Sequence, residues 1–487
     1  MKTLGDTLPR RFKAKASGSI TAGKPCIVEA DGDVAQVAQS SISQGVGSEI
    51  TYESASIGGL SFGATPAFDS NSNRSVFGYH DGSNSLKGTA VVVSASGTTL
   101  TAGTPVVFNT NGATYDITCV FDSANNKVIV VYKDGGNSSY GTAIVGTVDP
   151  SDNSISFGTA TVFNSAASTH TAAAFDSNAG TVVIAYRDSG DSNYGNAIVG
   201  TVSGTGISFG SEHRFISSDA RNMSMVFDST NNKCVVVFKD TGHSNRGKAE
   251  VLTVSGTSVS SGSTATFETT GIEDNVEATF DTNAGKVVIC YEYGTTSNAI
   301  IGTVSDTDIT FGTAATFSSN ETRENTIAYD GNVNKPVIFY RDEGDSSKMK
   351  AVPLTVSGTS FSVGTATVWE TQGLTEFCAT FDSSQNVMPI FFRDEGADNY
   401  GRAIAFQNAS TPSNLTSENY IGIAEYAAAD TETATVFIKG GVSPDQSSLT
   451  PGQTYFVQSD GTIGTSADSP SVTAGTAVTS TKLIVKG

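Results

Sequence analysis

The chain has 487 residues, with 28 Lys and Arg against 48 Asp and Glu, which gives a formal net charge of −20. Such an acidic chain is a poor partner for nucleic acid or for an anionic membrane surface, because both require clustered cations. The sequence has no apolar run near the roughly 18 residues of a membrane-spanning helix. The basic segment 1–15 is not followed by the apolar stretch of a secretory signal. We therefore expect synthesis in a cytoplasm and no membrane insertion.

Both ends of the chain carry related β patterns. Residues 20–34 have the pattern of a tight turn, an apolar strand and an Asp-Gly hairpin, and residues 449–463 repeat it. A second match relates residues 41–46 to 471–476. This predicts a small β-sandwich or barrel-like domain that is split in the sequence. Its N-terminal arm and first half would be residues 1–50, and a linker with its second half would be 409–487.

Between these flanks lie seven repeats, each marked by an aromatic-Asp pair. Successive pairs are 53, 54, 52, 53, 49 and 52 residues apart. A period near 50 with β-type composition is typical of a propeller with one four-stranded blade per repeat. We therefore predict an all-β fold with a seven-bladed β-propeller over residues 51–408. The pairs are Phe68-Asp69, Phe121-Asp122, Phe175-Asp176, Phe227-Asp228, Phe280-Asp281, Tyr329-Asp330 and Phe381-Asp382.

The second repeat shows the expected blade. Residues 127–132 form a continuous apolar run, typical of a strand covered on both faces, and residues 142–148 form the next strand. The last repeat lacks a counterpart of the outer segment 154–163, whereas a similar segment, 59–67, precedes the first pair. We expect an N-terminal strand to close the ring with the last blade, which removes an open sheet edge.

Several recurrent residues have an architectural interpretation. The Asp of each aromatic-Asp pair precedes a turn and is expected to bond the turn's own amides. The five cysteines are odd in number and form no CxxC motif, so buried free thiols are expected. Trp369 aligns with Phe163, Phe267 and Phe317, which favours a core role over stacking on a sugar.

A cation-Asp pair follows the second strand of six repeats, and only the fifth repeat departs, with Glu292-Tyr293. A ring of such pairs could hold a sugar or Ca²⁺. Alternatively, each Asp bonds loop amides and each cation pairs with a neighbouring blade. Presence in six of seven repeats favours the architectural interpretation. The pairs are His80-Asp81, Lys133-Asp134, Arg187-Asp188, Lys239-Asp240, Arg341-Asp342 and Arg393-Asp394.

Enzyme signatures are missing from the sequence. The four histidines have no metal-ligand spacing, and GxSxG, P-loop and GxGxxG motifs do not occur. We predict no catalytic residue, no metal and no cofactor. Glycoside hydrolysis stays open, because it needs only two carboxylates and nothing in the sequence marks a pair.

The loops that differ most between repeats are the candidates for ligand contact. They are residues 137–140, 191–194, 243–246 and 398–400, whose hydroxyl, amide and aromatic groups suit a neutral or cationic glycan. Loops are also where repeats diverge without any function. The predicted contact residues are Tyr140, Tyr194, His243, Arg246 and Tyr400.

The C-terminal segment from "IGIAEYAAADTETATVFIKGGV" to "LTPGQTYFVQSDGTIGTSADSPSVTAGTAVTSTKLIVKG" is similar to a small β module of tailed-bacteriophage virion proteins. Such modules occur in capsid-decoration and tail-fibre proteins. The resemblance covers about 70 C-terminal residues and the shorter N-terminal echo.

This resemblance implies a non-enzymatic structural protein of a virion. The terminal domain would dock onto other virion proteins as a homo-oligomer, a trimer if the protein belongs to a fibre, and the propeller would serve attachment to the host surface. Capsid and tail locations both stay open. The alternative is a polysaccharide depolymerase or a lectin that acts on host surface glycans.

Overall fold

The computed structural model describes residues 10–59, 65–273, 275–396 and 399–486, and it is almost entirely β. The chain forms two compact units. The terminal domain comprises Met1–Ser43 and Ala409–Gly487, and the repeat domain comprises Gln44–Asn408. Among the described residues, helical structure is limited to short 3-10 turns, and none is long or apolar enough to span a membrane.

The strands are numbered in chain order. The first part of the terminal domain contains β1 (Arg11–Lys15), β2 (Pro25–Val28) and β3 (Val34–Gln36). The repeat domain contains β4 (Gly45–Val46), β5 (Ile50–Ser56), β6 (Ala67–Asp69), β7 (Arg74–Asp81), β8 (Lys87–Ser96), β9 (Thr99–Ala102), β10 (Val106–Asp122), β11 (Lys127–Asp134), β12 (Tyr140–Asp149), β13 (Ser154–Phe157), β14 (Thr161–Asp176), β15 (Thr181–Asp188), β16 (Tyr194–Ser203), β17 (Gly206–Phe209), β18 (His213–Asp228), β19 (Lys233–Asp240), β20 (Arg246–Ser255), β21 (Ser258–Ser261), β22 (Ala265–Glu268), β23 (Val276–Asp281), β24 (Lys286–Tyr293), β25 (Thr296–Ser305), β26 (Asp308–Phe311), β27 (Ala315–Thr316), β28 (Thr322–Asp330), β29 (Lys335–Asp342), β30 (Lys348–Ser357), β31 (Ser360–Val363), β32 (Thr367–Glu370), β33 (Phe377–Ala379), β34 (Met388–Asp394) and β35 (Tyr400–Gln407). The second part of the terminal domain contains β36 (Tyr420–Ala424), β37 (Thr433–Phe437), β38 (Val442–Ser443), β39 (Thr454–Val457), β40 (Ile463–Gly464), β41 (Val472–Ala477) and β42 (Leu483–Val485).

Each repeat forms an antiparallel sheet with the same pairing. In the second repeat, the end of β10 pairs with β11, β11 with β12, and β12 with both β13 and the start of β14. Side chains of β11 alternate between two cores: Val130 packs towards the first repeat and Val131 towards the third. Burial on both faces explains why the sequence of this strand is a continuous apolar run.

The last sheet is completed by an N-terminal strand, as predicted. β35 pairs with β4 and β5, and Tyr52 of β5 shares a core with Phe77 of the first repeat and Phe391 of the last. The closing segment is residues 45–56 and not the predicted 59–67. Of that predicted segment, residues 60–64 lie outside the described residues, and Ala67 begins β6. Gly47 identifies the segment that contains it as the closing one, because Gly47 lies against Thr98 O in the way that Gly158 lies against Thr205 O in a standard repeat.

The terminal domain consists of two five-stranded sheets with one topology. The first has the order β1-β37-β36-β2-β3 and the second β38-β42-β41-β39-β40, so in each copy the first, fifth, fourth, second and third strands are neighbours. All these pairs are antiparallel. The sequence echo corresponds to β2–β3 and β39–β40. The terminal domain is therefore a tandem duplication, and the repeat domain is inserted between the third and fourth strands of the first copy.

Individual hydrogen bonds also recur in the two copies. Gly23 N donates to Ala424 O at 2.9 Å, and in the second copy Gly452 N donates to Ala477 O at 2.8 Å. The same register shift interrupts the β2–β36 and β39–β41 pairs. Since bulges are specific local features of a sheet, their recurrence supports a common origin of the two copies.

Candidate functional site

The Asp of every aromatic-Asp pair caps the turn that follows it. Asp122 Oδ1 accepts hydrogen bonds from Ala124 N at 2.9 Å and Asn125 N at 3.0 Å. The other six make the same two contacts with the amides two and three residues ahead. The architectural interpretation of these carboxylates is confirmed.

The Asp residues after the second strands also stabilise loops. Asp188 Oδ1 accepts from Gly190 N at 2.7 Å, and Asp394 Oδ1 accepts from Gly396 N at 2.9 Å. Burial favours the neutral form of Asp240, but hydrogen bonds from Lys248 and Ser218 outweigh it and lower the pKa of that carboxyl. These carboxylates therefore already form hydrogen bonds with groups of the protein itself.

The cations that precede these Asp residues point to the first strands of the sheets. Arg187 Nε lies 2.6 Å from Asp219 Oδ1, and Arg393 Nε lies 3.3 Å from Glu376 Oε2. Lys133 Nζ lies 5.3 Å from the centroid of the Tyr115 ring. The cation and the Asp of one pair thus serve different contacts, and they do not form a ring of paired ligands. In the described part of the chain, no group of three or more His, Cys, Asp or Glu side chains is arranged to hold a metal ion.

Four of the five predicted contact residues occupy one structural position. Tyr140, Tyr194, Arg246 and Tyr400 each begin the third strand of a sheet, directly opposite the capping Asp of the second strand. The structure therefore places them in four different sheets and does not gather them into one pocket. The fifth residue, His243, ends a 3-10 turn, with Nδ1 2.7 Å from Asp240 Oδ2.

The three tyrosines differ in the access to their rings. The Arg214 guanidinium lies 5.0 Å from the centre of the Tyr194 ring, and Arg214 Nε donates to Asp191 Oδ2 at 2.6 Å. One face of Tyr194 is therefore covered. Tyr140 and Tyr400 are half-buried, and neither ring has an aromatic or cationic neighbour among the described residues. Residue 398, part of the fourth predicted loop, lies outside those residues.

The fifth repeat departs from this pattern and forms a carboxylate pair. Its second and third strands are joined by a short turn, with Tyr293 opposite Thr296. Glu292 Oε1 accepts from Asn275 Nδ2 at 2.8 Å and from Glu324 N at 2.6 Å. Asn275 Nδ2 also lies 3.4 Å from Glu324 Oε2. One amide therefore lies within hydrogen-bonding reach of two carboxylates from neighbouring sheets.

Burial changes the protonation of this pair. It raises the pKa of Glu324 to about 7, and the charge of Glu292 acts in the same direction. Burial also raises the pKa of Glu292, partly offset by the hydrogen bond from Asn275. Like charges on neighbouring carboxyls disfavour double ionisation, so the charge of Glu292 adds to the effect of burial on Glu324.

One position has the same unusual backbone conformation in several repeats. Asp116, His170, Asn222 and Glu324 all lie six residues before the aromatic-Asp aspartate, and their φ angles are 49°, 52°, 49° and 51°. This left-handed conformation costs roughly 1–2 kcal/mol for a residue with a Cβ. In two of these residues the amide contacts the preceding repeat: His170 N donates to Asp116 Oδ1 at 3.1 Å, as Glu324 N donates to Glu292.

Sequence reasoning noted Glu292 but missed Asn275 and Glu324. The available signal was their shared offset from the aromatic-Asp pair, six residues in both cases. Trp369, by contrast, is 3% exposed and packs against Phe339, Phe377 and Phe392. Its predicted core role is confirmed. All five cysteines are buried and free, as expected.

Comparison with known proteins gives the fold type. No family model and no curated protein matches the chain. The solved structure of a lectin from Burkholderia pseudomallei is similar, with a TM-score of 0.52 and 13% identity over 74% of this chain and 98% of that one. A periplasmic gluconolactonase of Pseudomonas aeruginosa aligns with a TM-score of 0.43 and 10% identity, over 78% of this chain and 98% of that one. The chain is nearly all-β, with a fold of the propeller type.

Proposed function

We propose that this chain is a non-enzymatic attachment protein of a bacteriophage virion. In this proposal the repeat domain is a closed seven-bladed propeller that binds a host surface glycan. The terminal domain docks onto other virion proteins of the capsid or tail, and the protein is located in the virion after synthesis in the host cytoplasm. The proposed blade count is supported by the pairing of second and third strands that recurs in the seven repeats and by the core that the first and last repeats share.

The observation that carries the glycan proposal is the recurrent Tyr-Asp arrangement at the start of the third strands. Tyr140 and Tyr400 each present a half-buried ring, and the opposite carboxylates Asp134 and Asp394 fix the adjoining loops. A flat aromatic face suits the apolar face of a sugar, and the hydroxyl and amide groups of the loops suit its hydroxyl groups. Repetition in several sheets would add avidity on a surface that carries many glycans.

The distribution of charge supports separate binding roles for the repeat domain and the terminal domain. The terminal domain has 9 Lys and Arg against 11 Asp and Glu, a net charge of −2. The repeat domain has 19 against 37, a net charge of −18. A strongly acidic propeller repels anionic ligands and favours neutral or cationic glycans, whereas a nearly neutral domain is suited to protein contacts.

Glycan binding is tested with a triple variant, Y140A/Y194A/Y400A. We expect at least a tenfold loss of binding to host cells or to a glycan array, with a melting temperature within about 2 °C of wild type. Tyr426→Ala is the matched control, since Tyr426 is 65% exposed and belongs to the terminal domain. Unchanged binding by the triple variant would refute the assignment.

A hydrolase is the second candidate, and the Glu292–Glu324 pair favours it. Two neighbouring carboxyls, one of which has its pKa raised to about 7, can supply an acid and a base. The test is turnover of host capsule or lipopolysaccharide by the purified chain, compared with Glu324→Gln and Glu292→Gln. Turnover that both variants abolish would establish the hydrolase and displace the non-enzymatic proposal. No turnover by the wild-type chain would remove this candidate.

A further inference from the structure

The chain contains a single Asn-Gly pair, Asn111-Gly112, which lies in the second repeat. Asparagine is chemically labile, and it deamidates most readily before glycine, which has no Cβ to hinder attack by its own peptide nitrogen on the asparagine side chain. Peptide groups held in a strand ladder react more slowly, because the ladder fixes the main chain. The surroundings of the pair therefore determine whether it reacts in the folded protein.

The pair lies in a bulge of β10, outside the strand pairing. The register of β10 against β8 passes from Asn109 directly to Ala113, and the pairing with β11 begins only after that point. The bulge contains one residue more than its counterpart in the third repeat, where the register passes from Asn164 to Ala167. Residues 110–112 therefore have no partner in the register of either neighbouring strand.

The side chain of Asn111 is accessible, whereas its main chain is anchored. Asn111 is exposed, and its side-chain amide makes no hydrogen bond to the described residues. Its main-chain N–H donates to Asn109 Oδ1 at 3.0 Å. Asn109 is buried, and its Nδ2 donates to Asp134 Oδ1 at 3.0 Å. Solvent can therefore reach the reacting amide while the bulge keeps its position.

The sixth repeat has an asparagine at the same position with different surroundings. Asn320 N lies 3.1 Å from Ser318 Oγ, as Asn111 N lies against Asn109 Oδ1. The next residue is Glu321 instead of glycine, and Asn320 Nδ2 donates to Asp342 Oδ1 at 2.9 Å. This amide is held by a hydrogen bond and is followed by a residue with a Cβ, so Asn320 is a matched unreactive control.

We propose that Asn111 is a deamidation site that converts to aspartate and isoaspartate in the folded protein without an enzyme. The Gly112 nitrogen attacks Asn111 Cγ, the Cγ–Nδ2 bond breaks, and the amide leaves as ammonia with the proton of the Gly112 nitrogen. Water then opens the cyclic imide. Cleavage at Cγ gives aspartate, and cleavage at the main-chain carbonyl gives isoaspartate, in which the chain runs through the former side chain. One water is consumed and one ammonia is released, so no oxidant or cofactor is needed.

The isoaspartate product would displace the loop that follows β11. A Cβ on Gly136 would lie 2.5 Å from Asn111 C and O, and a Cβ on Gly112 would lie 2.8 Å from Gly136 Cα. The two segments are already in close contact, so the extra methylene of an isoaspartate main chain has no room. This loop leads to Tyr140, a predicted glycan contact. The inference goes beyond the glycan proposal and does not depend on it.

Peptide mapping by mass spectrometry tests the modification. The full chain is kept at about pH 8 and 37 °C, beside a synthetic peptide of residues 106–117. Asn111 should convert at a rate within tenfold of the peptide and at least tenfold faster than Asn320. Asn111→Gln should stay unmodified over the same time, because glutamine would have to form a larger ring.

Amide hydrogen exchange tests the consequence for the loop. Residues 135–140 should exchange faster in the aged chain than in fresh protein. Asn111→Asp is the matched variant, since it has the charge of the product but an ordinary main chain. It should exchange like fresh wild type, which assigns the change to isoaspartate and not to the new carboxylate.

Three outcomes would overturn the inference. An intact Asn111 in the protein, at a time when the peptide has converted, would show that the fold protects the pair. Conversion of Asn320 at the same rate would remove the role of the bulge and of Gly112. Unchanged exchange of residues 135–140 in the aged chain would refute the displacement of the loop. None of these results bears on glycan binding, which the tyrosine variants test separately in fresh protein.

Discussion

Gly422 and Gly475 occupy the same position in the two copies of the terminal domain. A Cβ on Gly422 would lie 1.9 Å from Phe437 O, and a Cβ on Gly475 would lie 2.2 Å from Ile484 O. The carbonyls belong to equivalent residues of β37 and β42, because Phe437 and Ile484 occupy the same register position in the two sheets. The close approach of these strands therefore requires glycine in both copies.

Substitution of either glycine by alanine should destabilise the terminal domain strongly. The new methyl group would meet a backbone carbonyl that cannot rotate away, so we expect a loss of about 2–4 kcal/mol in the free energy of unfolding. Urea unfolding would measure it. Gly32→Ala is the control: a Cβ there meets no atom within 4 Å, and only its φ of 89° costs about 1 kcal/mol. Equal losses in the three variants would contradict the packing argument.

The insertion of the repeat domain leads to a second prediction. Ile42 N donates to Ser410 O at 2.8 Å, and Ser410 N donates to Ile42 O at 3.0 Å, so the two chain segments already form a closed pair. Replacement of residues 44–408 by Asn-Gly would join Ser43 and Ala409 through a hairpin turn.

We expect this shortened chain to fold as an independent β domain with cooperative unfolding. Circular dichroism and amide chemical-shift dispersion would report it. A chain shortened to residues 409–487, which lacks β1–β3, is the control and should be unfolded, because the first sheet loses three of its five strands. An unfolded Asn-Gly chain would mean that the terminal domain depends on the inserted repeats.

A buried carboxyl gives the third prediction. Glu250 on β20 is fully buried opposite Val236, and the effect of burial on its carboxyl outweighs that of a side-chain hydrogen bond with Thr264. Burial raises the pKa of Glu250 from 4.5 to about 7. The equivalent residue is apolar in the other six repeats: Val91, Ile144, Ile198, Ile300, Val352 and Ile404.

Because the folded-state pKa is raised, the stabilising effect of protonation is complete below about pH 4.5 and is lost as pH rises to about 7. The loss corresponds to about 3 kcal/mol for one such shift. Glu250→Ile should remove this dependence and stabilise the protein at pH 8, as measured by urea unfolding at pH 5 and pH 8. Glu250→Gln also removes the titration but keeps a buried polar group, so it should stabilise less. An unchanged pH dependence in both variants would contradict the assignment.

The repeats and their turns could be predicted from sequence because each depends on local chemistry. The aspartate of Phe121-Asp122 bonds amides two and three residues ahead, and such a contact can be inferred from the turn residues alone. The closing strand was assigned to the wrong segment because the match rested on residues 61–63, "SFG". Closure depends instead on Gly47 and Tyr52, whose contacts involve the distant residues Thr98 and Phe391.

The candidate site was harder to predict from the sequence, because its contacts also join residues that are distant in the chain. Asn275, Glu292 and Glu324 belong to two neighbouring sheets, and their contact depends on the packing of those sheets. The left-handed φ of Glu324, which directs its amide to Glu292, could not be expected from the residue type, since glutamate rarely adopts that conformation. The break in the repeat pattern at Glu292 indicated where the site lies, but it did not indicate which residues contact Glu292.

The pair itself gives the last prediction. Burial is the main cause of the raised pKa of Glu324, and the charge of Glu292 is the next largest. Glu292→Gln keeps an acceptor for the Glu324 amide but removes that charge, so the pKa of Glu324 should fall below about 7. Carboxyl ¹³C NMR titration would measure the shift. Glu321→Gln is the control, because Glu321 forms an exposed ion pair with Arg323, and it should leave the pKa of Glu324 nearly unchanged. If Glu292→Gln also leaves it unchanged, burial alone determines the protonation of Glu324, and the two carboxyls do not act as a coupled pair.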